Sequence, residues 1–130
     1  YKPLKVKEHK YSLIQCITHA FNGFKVMWLS EINFRIHIVT SLLVVGGGFI
    51  FKLGTSAMLL ILLCVCLVIT AENFNTAIEY ICDLISMDIS PEVKIIKDMS
   101  AAAVLLVAFM STIIGCIFFL PKIYQNIFSI

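Results

Sequence analysis

A chain of 130 residues with 60% hydrophobic against 14% charged residues and a mean hydropathy of +0.98 is too apolar for an ordinary soluble domain. It reads as one all-α integral membrane domain over residues 1–130. The net charge of +2 is small and the lysines gather near the N-terminus, which argues against a nucleic-acid patch and for contact with an anionic membrane surface.

Residues 1–10 are basic and contain Pro3, so an irregular arm is expected. Lys2, Lys5, Lys7 and Lys10 lead into a patterned segment rather than a short apolar core with a cleavage site, so no cleavable signal peptide is expected. Over residues 11–30, Leu13, Ile14, Ile17, Phe21, Phe24 and Trp28 recur at helical spacing between polar Ser12, Gln15, Thr18, His19, Asn22 and Lys25. That pattern predicts an amphipathic helix in the membrane interface, with Trp28 at headgroup depth and a bend permitted at Gly23. Glu31 and Arg35, at i,i+4, read by themselves as a surface ion pair, and His37 as a hydrogen-bonded interfacial side chain.

A first spanning helix is expected over about 34–51; its apolar run is short for a hydrocarbon core of about 30 Å, so Arg35 and Lys52 should snorkel at its ends. Gly46-Gly47-Gly48 lacks the following Lys and Ser/Thr of a phosphate loop and reads as close packing or a kink. After a tight turn at 52–56, a second helix over 56–85 extends about 45 Å, longer than the apolar slab, so its C-terminal half should emerge at one interface. Ser90 then fits an N-cap, Pro91 the first helical position and Glu92 the favourable end of the dipole. The third spanning helix is expected over 91–120: residues 99–120 carry no charge, and Pro121 should end it. The five cysteines, Cys16, Cys64, Cys66, Cys82 and Cys116, lie in apolar segments and read as small hydrophobes; Cys64 and Cys66 point to opposite sides of a helix and cannot share a zinc ion locally.

The segment that stands apart is Ala71 to Ser86, where a spanning helix acquires Glu72, Asn75, Thr76, Glu79 and Asp83 at steps that place them on one face. Ionisable groups near membrane depth cost several kcal/mol unless they meet partners, water or metal, so a site is the default hypothesis. A purely structural polar seam would favour Ser, Thr or one Asn over a run of like charges. Glu72 and Glu79 are about 10 Å apart in rise, too far to chelate one ion from a straight helix, which suggests one carboxylate as a base and another as a ligand for a hard divalent cation. Lys97 and Asp98, near a helix N-terminus, suit phosphate when set beside those acids. Lys2, Lys5, Lys7, Lys10, Lys25, Arg35, Lys94 and Lys97 against Lys52 and Lys122 place the N-terminus and the acidic end of the second span in the cytoplasm and the C-terminus outside, at the plasma membrane. Chemistry on a lipid headgroup with a nucleotide then becomes the natural reading, since phosphoryl transfer needs a base, a cation on phosphate oxygens and positive charge.

Glu72-Asn73-Phe74-Asn75-Thr76-Ala77-Ile78-Glu79-Tyr80-Ile81-Cys82-Asp83 resembles the signature of the bacterial integral-membrane diacylglycerol kinase and undecaprenol kinase family. Lys97-Asp98-Met99-Ser100-Ala101-Ala102-Ala103-Val104 resembles its second block, and Glu31-Ile32-Asn33-Phe34-Arg35 its N-terminal block; the likeness runs over about residues 11–120. The resemblance implies a homotrimer of three-span subunits with an interfacial N-terminal helix and active sites shared between subunits. It assigns Glu72 as the general base for the lipid hydroxyl, Glu31 and Glu79 as ligands of the Mg²⁺ of Mg-ATP in place of the ion-pair reading of Glu31, and Asn75, Lys97 and Asp98 as nucleotide contacts. Asp88 and His19 are weaker nucleotide candidates, and Trp28, Arg35 and Glu72 lie toward the lipid substrate. Cys82 stands where an aliphatic residue is usual, and His19 where the better-known diacylglycerol kinase has an aromatic residue. The Asn33–His37 run is similar to the Gram-positive branch, which implies undecaprenol as substrate, with diacylglycerol the alternative. A small proton-coupled transporter is the reading from another class; it would not need Asn75 or the Lys97-Asp98 pair.

Overall fold

The computed structural model describes residues 12–85 and 90–128, all in four helices and their short connections. The basic arm and Asp88 lie outside the described residues. Helix α1 (Leu13–Ser30) begins at a capping box: Gln15 N–H donates to Ser12 Oγ, and the Gln15 side-chain oxygen accepts from the Ser12 backbone. The helix runs through Gly23 without a break, because a one-residue loss of side chain costs only about 1 kcal/mol against the hydrogen bonds on either side.

Glu31 alone separates α1 from α2 (Ile32–Ile50). Its extended backbone, φ −109° and ψ 116°, turns the chain, while its N–H closes the last turn of α1 on Met27 O at 2.9 Å. Buried Met27 and Phe34 flank this corner, and the Phe24 and Phe34 rings pack across it with centroids 6.2 Å apart. The second helix therefore starts earlier than residue 34, with Asn33 and Arg35 inside its first turns.

The end of α2 is closed by a left-handed residue, Lys52 (φ 50°). Leu53 N–H reaches back to Gly48 O at 3.0 Å, a Schellman-type closure. The neighbouring glycines serve packing, as expected: a Cβ on Gly48 would stand 2.7 Å from Met58 Cε, and one on Gly47 3.3 Å from the Phe119 ring.

Helix α3 (Thr55–Ile85) is the axis of the molecule, packing along α4 (Pro91–Phe128) and, over a shorter stretch, α2; α1 meets the rest chiefly through α2. Its buried residues Ala57, Ile61, Val68, Glu72, Asn75, Thr76 and Cys82 follow one helical face, apolar in the first half and polar in the second. Most other apolar side chains are exposed, as they are in helices bordered by lipid or by other copies. Three helices, α2, α3 and α4, are long and apolar enough to cross a membrane.

Helix α4 starts as expected. Ser90 caps it, its Oγ accepting from Val93 N–H at 3.5 Å, and Pro91 takes the first position. It does not stop at Pro121. The helix continues to Phe128, because Ile123, Tyr124 and Ile127 extend the apolar periodicity and the Tyr124 and Phe128 rings brace the last turn at 4.6 Å. In a helix surrounded by apolar groups, the one hydrogen bond that proline removes is no reason for the chain to expose the rest.

Candidate functional site

Three of the four helices and the Glu31 corner meet at the polar half of α3. Glu72 is 3% exposed, with Oε2 4.0 Å from Nε2 of His37, which reaches it from the second turn of α2. The carboxylates of Glu31 and Glu79 also lie within Coulombic reach of Glu72. One turn along α3, Asn75 donates through Nδ2 to Glu79 Oε1 at 3.0 Å and accepts at Oδ1 from Ser100 Oγ of α4 at 2.6 Å. Ser100 Oγ also lies 2.9 Å from Lys97 O in its own helix. At the outer end of this row, Lys97 pairs with Asp83, tying α4 to α3, and Glu79 is within its electrostatic field.

Sequence periodicity put Glu72, Asn75, Thr76, Glu79 and Asp83 on one face, and burial now grades along it. Glu72, Asn75 and Thr76 are buried, Glu79 is half-buried, and Asp83 is exposed. The helix thus carries its acids from the packed interior to the surface. The charges of Glu31 and Glu79 act on Glu72, whose one ion-pair partner among the described residues is His37; a bound cation or the donors of a ligand would balance that excess of negative charge.

Among the described residues no group of three or more His, Cys, Asp or Glu side chains is placed to hold a metal ion. Glu31 and Glu79 supply hard oxygen donors of the kind that suits magnesium, which keeps water and takes only one or two carboxylates alongside substrate phosphates. The donor chemistry therefore fits a cation that arrives with a nucleotide.

Of the other expected site residues, Asp98 is exposed and paired with Lys94 one turn earlier. Arg35 is exposed in the first turn of α2, and the ion pairs among the described residues join His37–Glu72, Lys94–Asp98 and Lys97–Asp83, not Glu31–Arg35. Trp28 is 46% exposed near the end of α1, and His19 is exposed in the same helix. Beside them an open groove of about 390 Å³ lies between α1 and α3, lined by Gly23, Phe24, Met27, Thr76, Ala77 and Tyr80 among others.

Two residues entered the cluster without being expected there. His37 read as interfacial because its partner is on another helix, beyond the reach of any local spacing. Ser100 sits within the quoted second block but had no role; the signal was the Asn75 amide opposite, which in a buried position needs an acceptor and a donor.

The family model for prokaryotic diacylglycerol kinase matches residues 18–119. The undecaprenol kinase of Bacillus subtilis (strain 168) is 34% identical over 120 residues, covering 90% of this chain and 98% of that protein. A diacylglycerol kinase of Synechocystis is 32% identical over 125 residues, 94% of this chain and 71% of its own. The diacylglycerol kinase of Escherichia coli (strain K12) is 30% identical over 105 residues, covering 81% and 86%. Acids, amide and lysine of the assembled cluster all fall within the matched stretch, and the chain belongs to the prokaryotic diacylglycerol kinase family of membrane lipid kinases.

Proposed function

We propose that this lipid kinase transfers the γ-phosphoryl group of ATP to the hydroxyl of undecaprenol at the cytoplasmic face of the plasma membrane. The observation that carries the reading is the gathering of Glu31, Glu72 and Glu79 at the buried polar end of α3, with Asn75 bonded to Glu79 and Lys97 beyond it. Buried Glu72 accepts the proton of the lipid hydroxyl, whose oxygen then attacks the γ-phosphorus. Glu31 and Glu79 would hold magnesium, which when bound neutralises charge on the phosphate oxygens. Asn75, Lys97 and Asp98 contact the nucleotide, Asp88 and His19 being weaker candidates for the same role; Lys97 exchanges its exposed partner Asp83 for phosphate. Trp28 and Arg35 lie on the lipid side, where α1 rests as an amphipathic helix in the interface.

The extensive apolar surface left uncovered on α2, α3 and α4 supports a homotrimer in which sites are completed between subunits. Among the described residues Lys25, Arg35, Lys94 and Lys97, at the helix ends near the acids, against Lys52 and Lys122 support a cytoplasmic site, with the C-terminus outside. For the substrate, the likeness to the Bacillus undecaprenol kinase spans nearly all of that protein, whereas the matched diacylglycerol kinases are covered less completely. The test is a competition: undecaprenol and diacylglycerol offered at equal surface concentration to one purified preparation with Mg-ATP. Preferential formation of undecaprenyl phosphate is expected, and a preference for phosphatidic acid would transfer the assignment to diacylglycerol.

A further inference from the structure

We propose that His37 is a positioning residue for phosphoryl transfer: across the α2–α3 contact its Nε2 stands 4.0 Å from Glu72 Oε2 and holds that oxygen by charge, leaving the other for the lipid hydroxyl. This rests on the reading of Glu72 as the base. The groups whose charges act on Glu72 are His37 from α2, Glu79 from its own helix and Glu31 from the corner, and His37 alone carries the opposite sign. From α4, Lys97 faces Asp83 and Glu79 instead. Glu72 is 3% exposed, and a buried base needs one oxygen held and the other free to meet the hydroxyl. His37, with 24% of its side chain exposed, stands close enough to act on that carboxylate.

The histidine keeps its own proton during the reaction. The hydroxyl O–H bond breaks and its proton passes to Glu72; the hydroxyl oxygen bonds to the γ-phosphorus as the bond from that phosphorus to the bridging oxygen breaks, and ADP leaves with the electron pair. His37 touches none of the reacting atoms and acts only through Glu72.

The test is kcat and KM for Mg-ATP measured for wild type, His37→Gln, His37→Asn and His37→Lys. In His37→Gln kcat drops about tenfold while KM for Mg-ATP stays unchanged. His37→Lys, which restores a cation, keeps kcat near the wild-type value. His37→Asn repeats the loss with a different shape and separates it from a folding defect peculiar to one replacement. Wild-type kcat in the Gln and Asn variants, or an equal loss in all three variants, would overturn the proposal. Glu72→Gln is run in parallel: turnover in that variant defeats the base assignment itself, whereas an inactive Glu72→Gln beside a fully active His37→Gln defeats only the role of the histidine.

Discussion

Replacing Asn75 by Asp exchanges the amide nitrogen that donates to Glu79 Oε1 at 3.0 Å for an oxygen of like charge, at almost unchanged volume. Two unit charges at that distance repel by about 5 kcal/mol at an effective dielectric of roughly 20. A hydrogen bond to a charged acceptor, about 1.5–3 kcal/mol, is lost as well. Side-chain rotation and uptake of one proton between the two acids relieve part of this, so the expected net destabilisation is about 2–4 kcal/mol at neutral pH, shrinking as the pH falls. Turnover should drop by more than about tenfold, because Glu79 is pushed from the place Asn75 holds it. Ser100→Ala removes the donor to Asn75 Oδ1 and should cost about 1–2 kcal/mol; with Asn75→Ala, the double variant should show a coupling of about 1 kcal/mol. The assay is reversible unfolding by a denaturing detergent in mixed micelles, followed by helicity, with turnover measured on the same samples. An Asn75→Asp protein as stable as wild type at neutral pH, together with strict additivity of the other two substitutions, would refute the network.

Other expectations are smaller. Gly48→Ala meets only the flexible end of Met58 and should cost no more than about 1 kcal/mol, whereas Gly48→Leu should force α2 from α3 and cost about 1–3 kcal/mol in the same unfolding assay. Lys52→Gly relieves a left-handed backbone on a residue with a Cβ and should stabilise by about 1 kcal/mol; a loss of stability would mean that the charge of Lys52 at the membrane edge outweighs the strain. The Lys97–Asp83 pair is largely exposed, so Asp83→Asn should change stability by less than about 1 kcal/mol and spare most turnover, while Lys97→Met should raise KM for Mg-ATP strongly; equal kinetic losses would make the pair structural.

Local signals were legible in the sequence where the chemistry is local. Ser90 and Pro91 announce a helix start because capping needs a side-chain oxygen beside a residue without an N–H, and both are where that rule puts them. The polar face of α3 follows from its spacing alone, since one helix carries all its members. Pro121 misleads because its lost hydrogen bond is judged by the rule for water, where a helix end is readily solvated; in apolar surroundings the helix goes on. The turn at 52–56 is legible as a turn, while spacing does not say which of its residues takes the left-handed backbone; that residue is Lys52. Contacts between helices lie beyond spacing altogether. The approach of His37 to Glu72 joins residues 35 positions apart, and the bond from Ser100 to Asn75 joins two that are 25 apart. Only once α2, α3 and α4 were packed did these become one cluster.

The most direct measurement is the transfer of labelled γ-phosphate from ATP to a short-chain undecaprenol by wild type and by Glu72→Gln, beside equilibrium binding of Mg-ATP to both. Labelled lipid phosphate is expected from wild type and none above background from the variant, whose nucleotide affinity stays within a few-fold of wild type. Labelled product formed by Glu72→Gln at the wild-type rate would contradict the assignment of the buried carboxylate as the group that takes the hydroxyl proton.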